Sequence, residues 1–278
     1  MERRRFLAGA SAGVAGLALG GASLGGWQVE RGRQEAAGAA AAGEPGPVGR
    51  CQLVWSVPTD RPLAALTFDD GPDPAYTPRI LEVLARHDVR ATFNVMGRNA
   101  VRHADLLRAV VAAGHEVGNH TWSHEDLAFQ SAAATRRELE RGARAIEQVT
   151  GVRPRLFRPP RGALTGSSVL TAAALGCDVL LWSVARGPAG VGTPRQVADH
   201  LAATVAPGDV VALHDGIGRG TFDRGSAASR LLERRRAVEV AALPSVLDRL
   251  LGRGLRLVTA SALLDAAAAA PPPAALRR

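Results

Sequence analysis

The sequence contains no lysine. All 34 basic residues are arginine, against 26 acidic ones, for a formal net charge of +8. Aromatic residues make up only 4% of the chain, with a single tyrosine, and cysteine occurs twice. So few aromatics, not interleaved with the arginines, exclude the stacking platforms of a nucleic-acid binder. Cys51 and Cys177 stand far apart with no Cys-x-x-Cys spacing, which excludes a cysteine-held metal centre. The sequence leaves open whether the two pair as a disulfide. An arginine-, alanine- and glycine-rich composition without lysine reads as the imprint of a GC-rich genome rather than of a partner. The positive balance is compatible with association with an anionic cell wall or membrane surface.

At the N-terminus, Arg3-Arg4-Arg5-Phe6-Leu7 precedes a weakly apolar Ala/Gly/Leu stretch that runs to about Leu24. This pattern resembles a twin-arginine export signal and predicts an exported protein. Ala37-Gly38-Ala39 is a candidate cleavage site, and an uncleaved anchor is the alternative. The expected organisation is a signal or anchor over 1–30, a disordered Ala/Gly/Pro linker over 31–58, one catalytic domain over 59–268 and a loose tail over 269–278. A monomer is expected.

Beyond the linker, short apolar runs alternate with longer amphipathic ones. Strands are predicted over Leu63–Phe68, Ala91–Val95, Glu116–Gly118, Leu156–Phe157, Val179–Val184, Val210–Leu213 and Leu255–Val258. Between and after them the periodicity predicts helices over Thr77–His87, Ala104–Ala113, Ala132–Thr150, Ser167–Leu175, Pro194–Val205, Pro244–Leu251 and Ser261–Ala268. Strands separated by helices imply a parallel sheet, so the fold class is α/β, open and doubly wound or a barrel. The chemically versatile residues collect at predicted strand ends: Asp69-Asp70, His120 and His124, Arg158, Trp182 and His214. In a barrel that end carries the site.

Asp69 and Asp70 end an apolar run and meet Gly71-Pro72 at once. Two adjacent carboxylates repel unless a positive group sits beside them. His120-Thr121-Trp122-Ser123-His124 offers two imidazoles four residues apart, a spacing that on a helical turn aims both at one point. With one carboxylate they make a His-His-Asp set that leaves coordination positions open, as hydrolytic divalent-metal sites do. If Asp70 belongs to the metal, Asp69 is left to take a proton from the attacking water. Arg158 offers a guanidinium to orient it, and His214 offers a proton to a leaving group.

These segments resemble the polysaccharide deacetylases, carbohydrate esterase family 4 with its NodB-like homology domain. The motifs are Thr67-Phe68-Asp69-Asp70-Gly71-Pro72, His120-Thr121-x-x-His124, Arg158-Pro159-Pro160-x-Gly162, Trp182 and Leu213-His214-Asp215, and the resemblance covers about residues 60–265. It implies a distorted (β/α) barrel of about seven parallel strands and a divalent metal, usually zinc with cobalt or nickel as alternatives, held by Asp70, His120 and His124. It implies Asp69 as base, His214 as acid and Arg158 as the partner of Asp69. It also implies Arg161, through its backbone N–H, Trp182 and Leu213 as substrate contacts. The expected substrate is an N-acetylated polysaccharide or oligosaccharide, peptidoglycan or chitin-like. An O-deacetylase on acetylated xylan and a non-catalytic glycan-binding wall protein are the alternatives.

Three positions depart from the family pattern. Arg161 stands where an aromatic is usual, and Ala212 replaces a bulkier apolar residue. The stretch Val184-Ala185-Arg186-Gly187 lacks the acidic residue that usually partners the catalytic histidine, leaving Asp178 or Asp199 as substitutes. The Arg-rich run from Ile217 to Arg236 reads as a solvated loop, with a substrate-side flap as the other reading.

Overall fold

The structure is a computed structural model that describes residues 49–218 and 225–268. The expected N-terminal signal, most of the expected linker, residues 219–224 and the expected tail lie outside the described residues. Among the described residues all the strands belong to one parallel sheet of nine: β1 (Leu53–Val54), β2 (Leu63–Asp69), β3 (Thr92–Val95), β4 (Glu116–Asn119), β5 (Leu156–Phe157), β6 (Asp178–Leu180), β7 (Val184–Ala185), β8 (Val210–His214) and β9 (Arg256–Val258). Eight run in the order β1-β6-β5-β4-β3-β2-β8-β7, and β9 pairs alongside β2. β2 is long enough to serve three neighbours. Its first residues pair with β9, its last with β3, and Ala65–Asp69 with β8 on the other side. An antiparallel bridge from Ser56 to Asp209 ties the chain after β1 to the start of β8, spanning the gap between the sheet ends. This is the distorted barrel the sequence implied, with two strands more than the seven predicted.

The two extra strands have a simple origin. Leu53–Val54 lies within the stretch read as linker, yet it pairs with β6 and buries Val54 and Val57. Two residues are too few for a periodicity to register. The predicted strand Val179–Val184 is interrupted at Leu181–Ser183, where the chain leaves β5 for β8 and becomes β6 and β7.

Helices cover the outside: α1 (Thr77–Arg86), α2 (Gly97–Arg102), α3 (Ala104–Ala112), α4 (Ala132–Thr150), α5 (Gly166–Ala174), α6 (Pro194–Thr204), α7 (Ala227–Gly252) and α8 (Ala260–Ala268). Residues alternate in direction along each strand. On β2, Ala64, Leu66 and Phe68 face the helices, while Leu63 and Ala65 fill the barrel with Val210, Leu180 and Leu156. α8 closes the base: the Ala260 N–H donates to Thr92 Oγ1, and the Ser261 N–H to Glu116. With the base plugged by apolar side chains, the polar positions of the strands are left at the carboxyl end. Among the described residues no helix is long and apolar enough to cross a membrane.

Two helices differ from expectation. α2 was not predicted, since only Gly97 and Ala100 are buried along it. α7 begins at Ala227, seventeen residues ahead of Pro244, and runs through that proline. An interior proline removes one backbone hydrogen bond and crowds the carbonyl four residues back, but here a buried stripe continues on both sides of it and holds the helix together. Both cysteines are free thiols: Cys177 Sγ donates to the Pro154 carbonyl and Cys51 Sγ to that of Val169.

Candidate active site

β2 places Asp69 on its inward face at the carboxyl end, where its Cα pairs with Asn94 on one side and His214 on the other. Asp69 is buried, and its Oδ1 accepts from Arg158 Nη1 at 2.8 Å and Asn94 Nδ2 at 2.7 Å. Burial by itself raises a carboxyl pKa, but Arg158, with help from His120 and His214, outweighs it and holds Asp69 below its ordinary value. Arg158 is wholly buried. Its Nε and Nη2 donate to the carbonyls of Leu180 and Leu181, and Nη1 also donates to Thr67 Oγ1. The guanidinium is therefore fixed before it meets the carboxylate.

At Asp70 the backbone turns left-handed, with φ 79°. The turn swings the side chain to His120 and His124: Oδ1 lies 3.5 Å from His120 Nε2 and 3.2 Å from His124 Nε2. The two histidines converge without a helix, contrary to the spacing argument. His120 directly follows β4, and Thr121 and His124 both take left-handed conformations, at φ 65° and 63°. Asn119 holds this turn by accepting from the Thr121 N–H and donating to the Leu139 carbonyl. Of the five described non-glycine residues with positive φ, Asp70, Thr121, His124 and Arg161 all belong to this site. Such strain persists only where surrounding structure enforces it.

The trio fits a divalent cation. One ligand atom from each of Asp70, His120 and His124 lies within 4.8 Å of the others. Asp70 Oδ1 is buried with no hydrogen-bond donor of its own, a situation that is costly unless a cation fills it. His120 Nδ1 lies 2.7 Å from the Arg158 carbonyl, which makes Nδ1 the donor, so in the neutral ring Nε2 is the nitrogen with a lone pair for a cation. Burial pushes the His124 pKa down to about 4, favouring the neutral form a metal requires. Two glycines permit close approaches around the site: a Cβ on Gly218 would lie 2.6 Å from the His124 ring, and one on Gly71 would lie 2.0 Å from Asp215 Oδ2. Asp215 in turn accepts from the Gly71 N–H and the Thr77 hydroxyl, tying the loop after β2 to the end of β8.

The remaining expected residues are placed as follows. Arg161 sits left-handed at φ 57° in a one-turn segment, and its side chain reaches Asp126 at 3.1 Å. Trp182 is half-buried, with Gly162 against its ring and the Arg158 guanidinium carbon 5.7 Å from the ring centroid. Leu213 is misplaced by the sequence reading. It packs with Leu66, Phe68 and Val211 in the sheet–helix core, and alternation puts Ala212 and His214 on the inner face instead. Leu213→Ala is therefore expected to cost about 2–5 kcal/mol of stability, measured by denaturant unfolding, with KM for substrate little changed.

Neither expected substitute for the missing acidic partner reaches His214. Asp178 accepts from the Gln52 N–H, and Asp199 pairs with Arg249 and Arg195. His214 Nδ1 instead lies 3.1 Å from Oε2 of Glu239, a residue the sequence reading did not single out. Arg236 also leaves the solvated loop it was assigned to. It is buried, donating to the Gly216 carbonyl, Glu239 Oε1 and Asp70 Oδ2. Asn94 was missed as well, although its register opposite Asp69 follows once β2 and β3 are paired.

A family model described as polysaccharide deacetylase matches residues 56–180. A peptidoglycan-N-acetylglucosamine deacetylase of Bacillus cereus is 34% identical over 214 residues, covering 76% of this chain and 92% of that one. The chain belongs to the polysaccharide deacetylase family. A chitooligosaccharide deacetylase of a Bradyrhizobium species is 43% identical to this family member over 153 residues, 54% of this chain and 69% of that one. The fold agrees: the crystal structure of a peptidoglycan N-acetylglucosamine deacetylase superimposes with a TM-score of 0.66 at 27% identity, covering 75% of this chain and 91% of the other. Members of this family are hydrolases, and the matched segment contains Asp69, Asp70, His120, His124 and Arg158 but ends before His214 and Glu239.

Proposed function

We propose that this protein is an exported hydrolase that removes N-acetyl groups from a cell-wall or extracellular glycan, peptidoglycan or chitin-like oligomers. The observation that carries the reading is the pairing of Asp69 and His214 as direct cross-strand neighbours beside the Asp70–His120–His124 trio. That arrangement offers a base and an acid to one carbonyl, which pure binding does not need. The curated relatives, named for peptidoglycan and chitooligosaccharide deacetylation, support the substrate class. The twin-arginine pattern at residues 3–7 supports export.

A divalent cation, zinc by the donor set, supplies Lewis acidity and a more acidic water when bound by Asp70, His120 and His124. Asp69, kept ionised by Arg158, takes the proton of the attacking water. The backbone N–H of Arg161 meets the developing oxyanion. His214 gives its proton to the amine as the C–N bond breaks, so amide and water yield acetate and a free amino sugar.

The test is acetate release by the purified, zinc-loaded protein from N-acetylglucosamine oligomers, peptidoglycan and acetylxylan. Release from the first two supports the proposal. Release from acetylxylan alone replaces it with an ester hydrolase, and release from none, with zinc bound, replaces it with a binding protein. Recovery of the protein outside the cytoplasmic membrane tests the export claim.

A further inference from the structure

We infer that Glu239, carried on helix α7, is the positioning residue for His214, taking over the place left vacant by the acid-free loop after Trp182. The inference rests on the reading above, in which His214 is the proton donor. His214 presents a divided environment. Its side chain is 28% exposed overall, while Nδ1 is directed at a carboxylate that is 1% exposed. An ionised carboxylate only accepts, so Nδ1 carries the hydrogen and Nε2 is the nitrogen left for the substrate. A carboxylate in that position fixes the tautomer and ring orientation of the imidazole.

Glu239 is itself held from two further sides. Arg236 Nη1 donates to its Oε1 at 3.1 Å, and Arg186 Nε lies 3.1 Å from the same oxygen. Arg186 is the residue just after Ala185, so the loop that lacks the acid contributes a cation, and the helix contributes the anion. The loop after Trp182 thus carries a cation and helix α7 the anion, and the His214–carboxylate contact is made from the helix. Arg236 reaches further, donating through Nη2 to Asp70 Oδ2 at 3.1 Å. One buried guanidinium thus anchors the carboxylate behind His214 and the carboxylate at the cation site. A carboxylate needed only for packing would be satisfied by its two arginines. Its third contact, to the imidazole, is the one that faces the chemistry.

The experiment uses the full chain loaded with zinc, with Glu239→Gln, Glu239→Asp, His214→Gln and the Glu239→Gln/His214→Gln double variant. Glu239→Gln keeps the shape and removes the charge. It is expected to lower kcat on N-acetylglucosamine oligomers by about 10–100-fold, a fraction of what general acid catalysis contributes, with KM changed by less than about threefold. Glu239→Asp is expected to recover part of the loss. In the His214→Gln background the Glu239 substitution is expected to add nothing, because the two act as one unit. Aryl acetate hydrolysis, whose phenolate leaves without a proton, is expected to suffer much less than amide hydrolysis. Equal and additive losses in both backgrounds, accompanied by a lowered Tm, would make Glu239 a structural residue and overturn the inference. If the wild-type protein releases no acetate at all, the function proposal falls, and nitrogen-15 spectra of the histidines still decide this one. A His214 Nδ1–H signal displaced by Glu239→Gln supports the contact, and an undisplaced signal overturns it.

Discussion

Asp69→Asn is expected to lower kcat for acetate release by about 10²–10⁴-fold, the range for loss of a general base, while substrate affinity changes little. The reason lies in what the amide keeps. Asparagine has the same shape and still accepts from Arg158 and Asn94 through one oxygen, so the wall of the site stays in place. What it loses is the ability to take a proton. The sign of the Asp69 pKa shift sharpens the expectation. A carboxyl held below its ordinary value is ionised throughout the neutral range, so the base is always available and the loss on substitution is complete at every working pH. Steady-state kinetics on N-acetylglucosamine oligomers measure it. A loss of less than tenfold would remove Asp69 from the proton path.

Arg158→Met is expected to have the largest effect on stability. Its guanidinium is wholly buried and satisfies Asp69 Oδ1, Thr67 Oγ1 and the carbonyls of Leu180 and Leu181. Methionine fills most of the volume but leaves a buried carboxylate without its counter-ion, which typically costs about 3–5 kcal/mol. The pH dependence has a definite sign. With Arg158 present, Asp69 titrates below its unfolded value, so its contribution is full above the ordinary carboxyl pKa and is lost as pH falls through the depressed one. Without Arg158, burial, which raises the Asp69 pKa, loses its largest opponent and is countered only by His120 and His214. The variant should therefore lose most stability at neutral pH and much less in acid. Denaturant unfolding at two pH values separates this from a simple packing defect, which would cost the same at both.

What could be read from the sequence, and what could not, follows from the range of the interactions. The aspartate pair, the two histidines and Arg158 each end a strand, and a strand end followed by Gly-Pro, by a polar turn or by Pro-Pro is a local signal. The convergence of His120 and His124 was legible, but its cause was not. The spacing suggested a helical turn, whereas the chain uses left-handed backbone at Thr121 and His124, which no periodicity reveals. Leu213 was assigned to the substrate through the resemblance carried by Leu213-His214-Asp215. Period-two alternation, applied to Val210–His214, would have sent it to the helices.

Glu239 is the harder case. It lies 25 residues beyond its partner, in a run of arginines and glutamates that reads as solvated surface. One signal was present. Arg236, Glu239, Val240, Leu243, Val246, Leu247 and Leu250 share a single helical stripe with i, i+3, i+4 and i+7 spacing, and all are buried. Two opposite charges on the apolar stripe of a helix ask for buried partners. Pro244 concealed that stripe, because a proline in a helical pattern reads as a first residue rather than an interior one. β1 was hidden for another reason: two residues paired across 126 positions leave no local trace.

In the proposed mechanism two adjacent aspartates divide the labour, Asp70 for the cation and Asp69 for the water. The amount of zinc bound per chain at equilibrium, compared between wild type, Asp69→Asn and His120→Ala, tests this most directly. One zinc per chain is expected for wild type and for Asp69→Asn, with none held by His120→Ala under the same dialysis. Equal loss of zinc in both variants, or full retention in both, would contradict it.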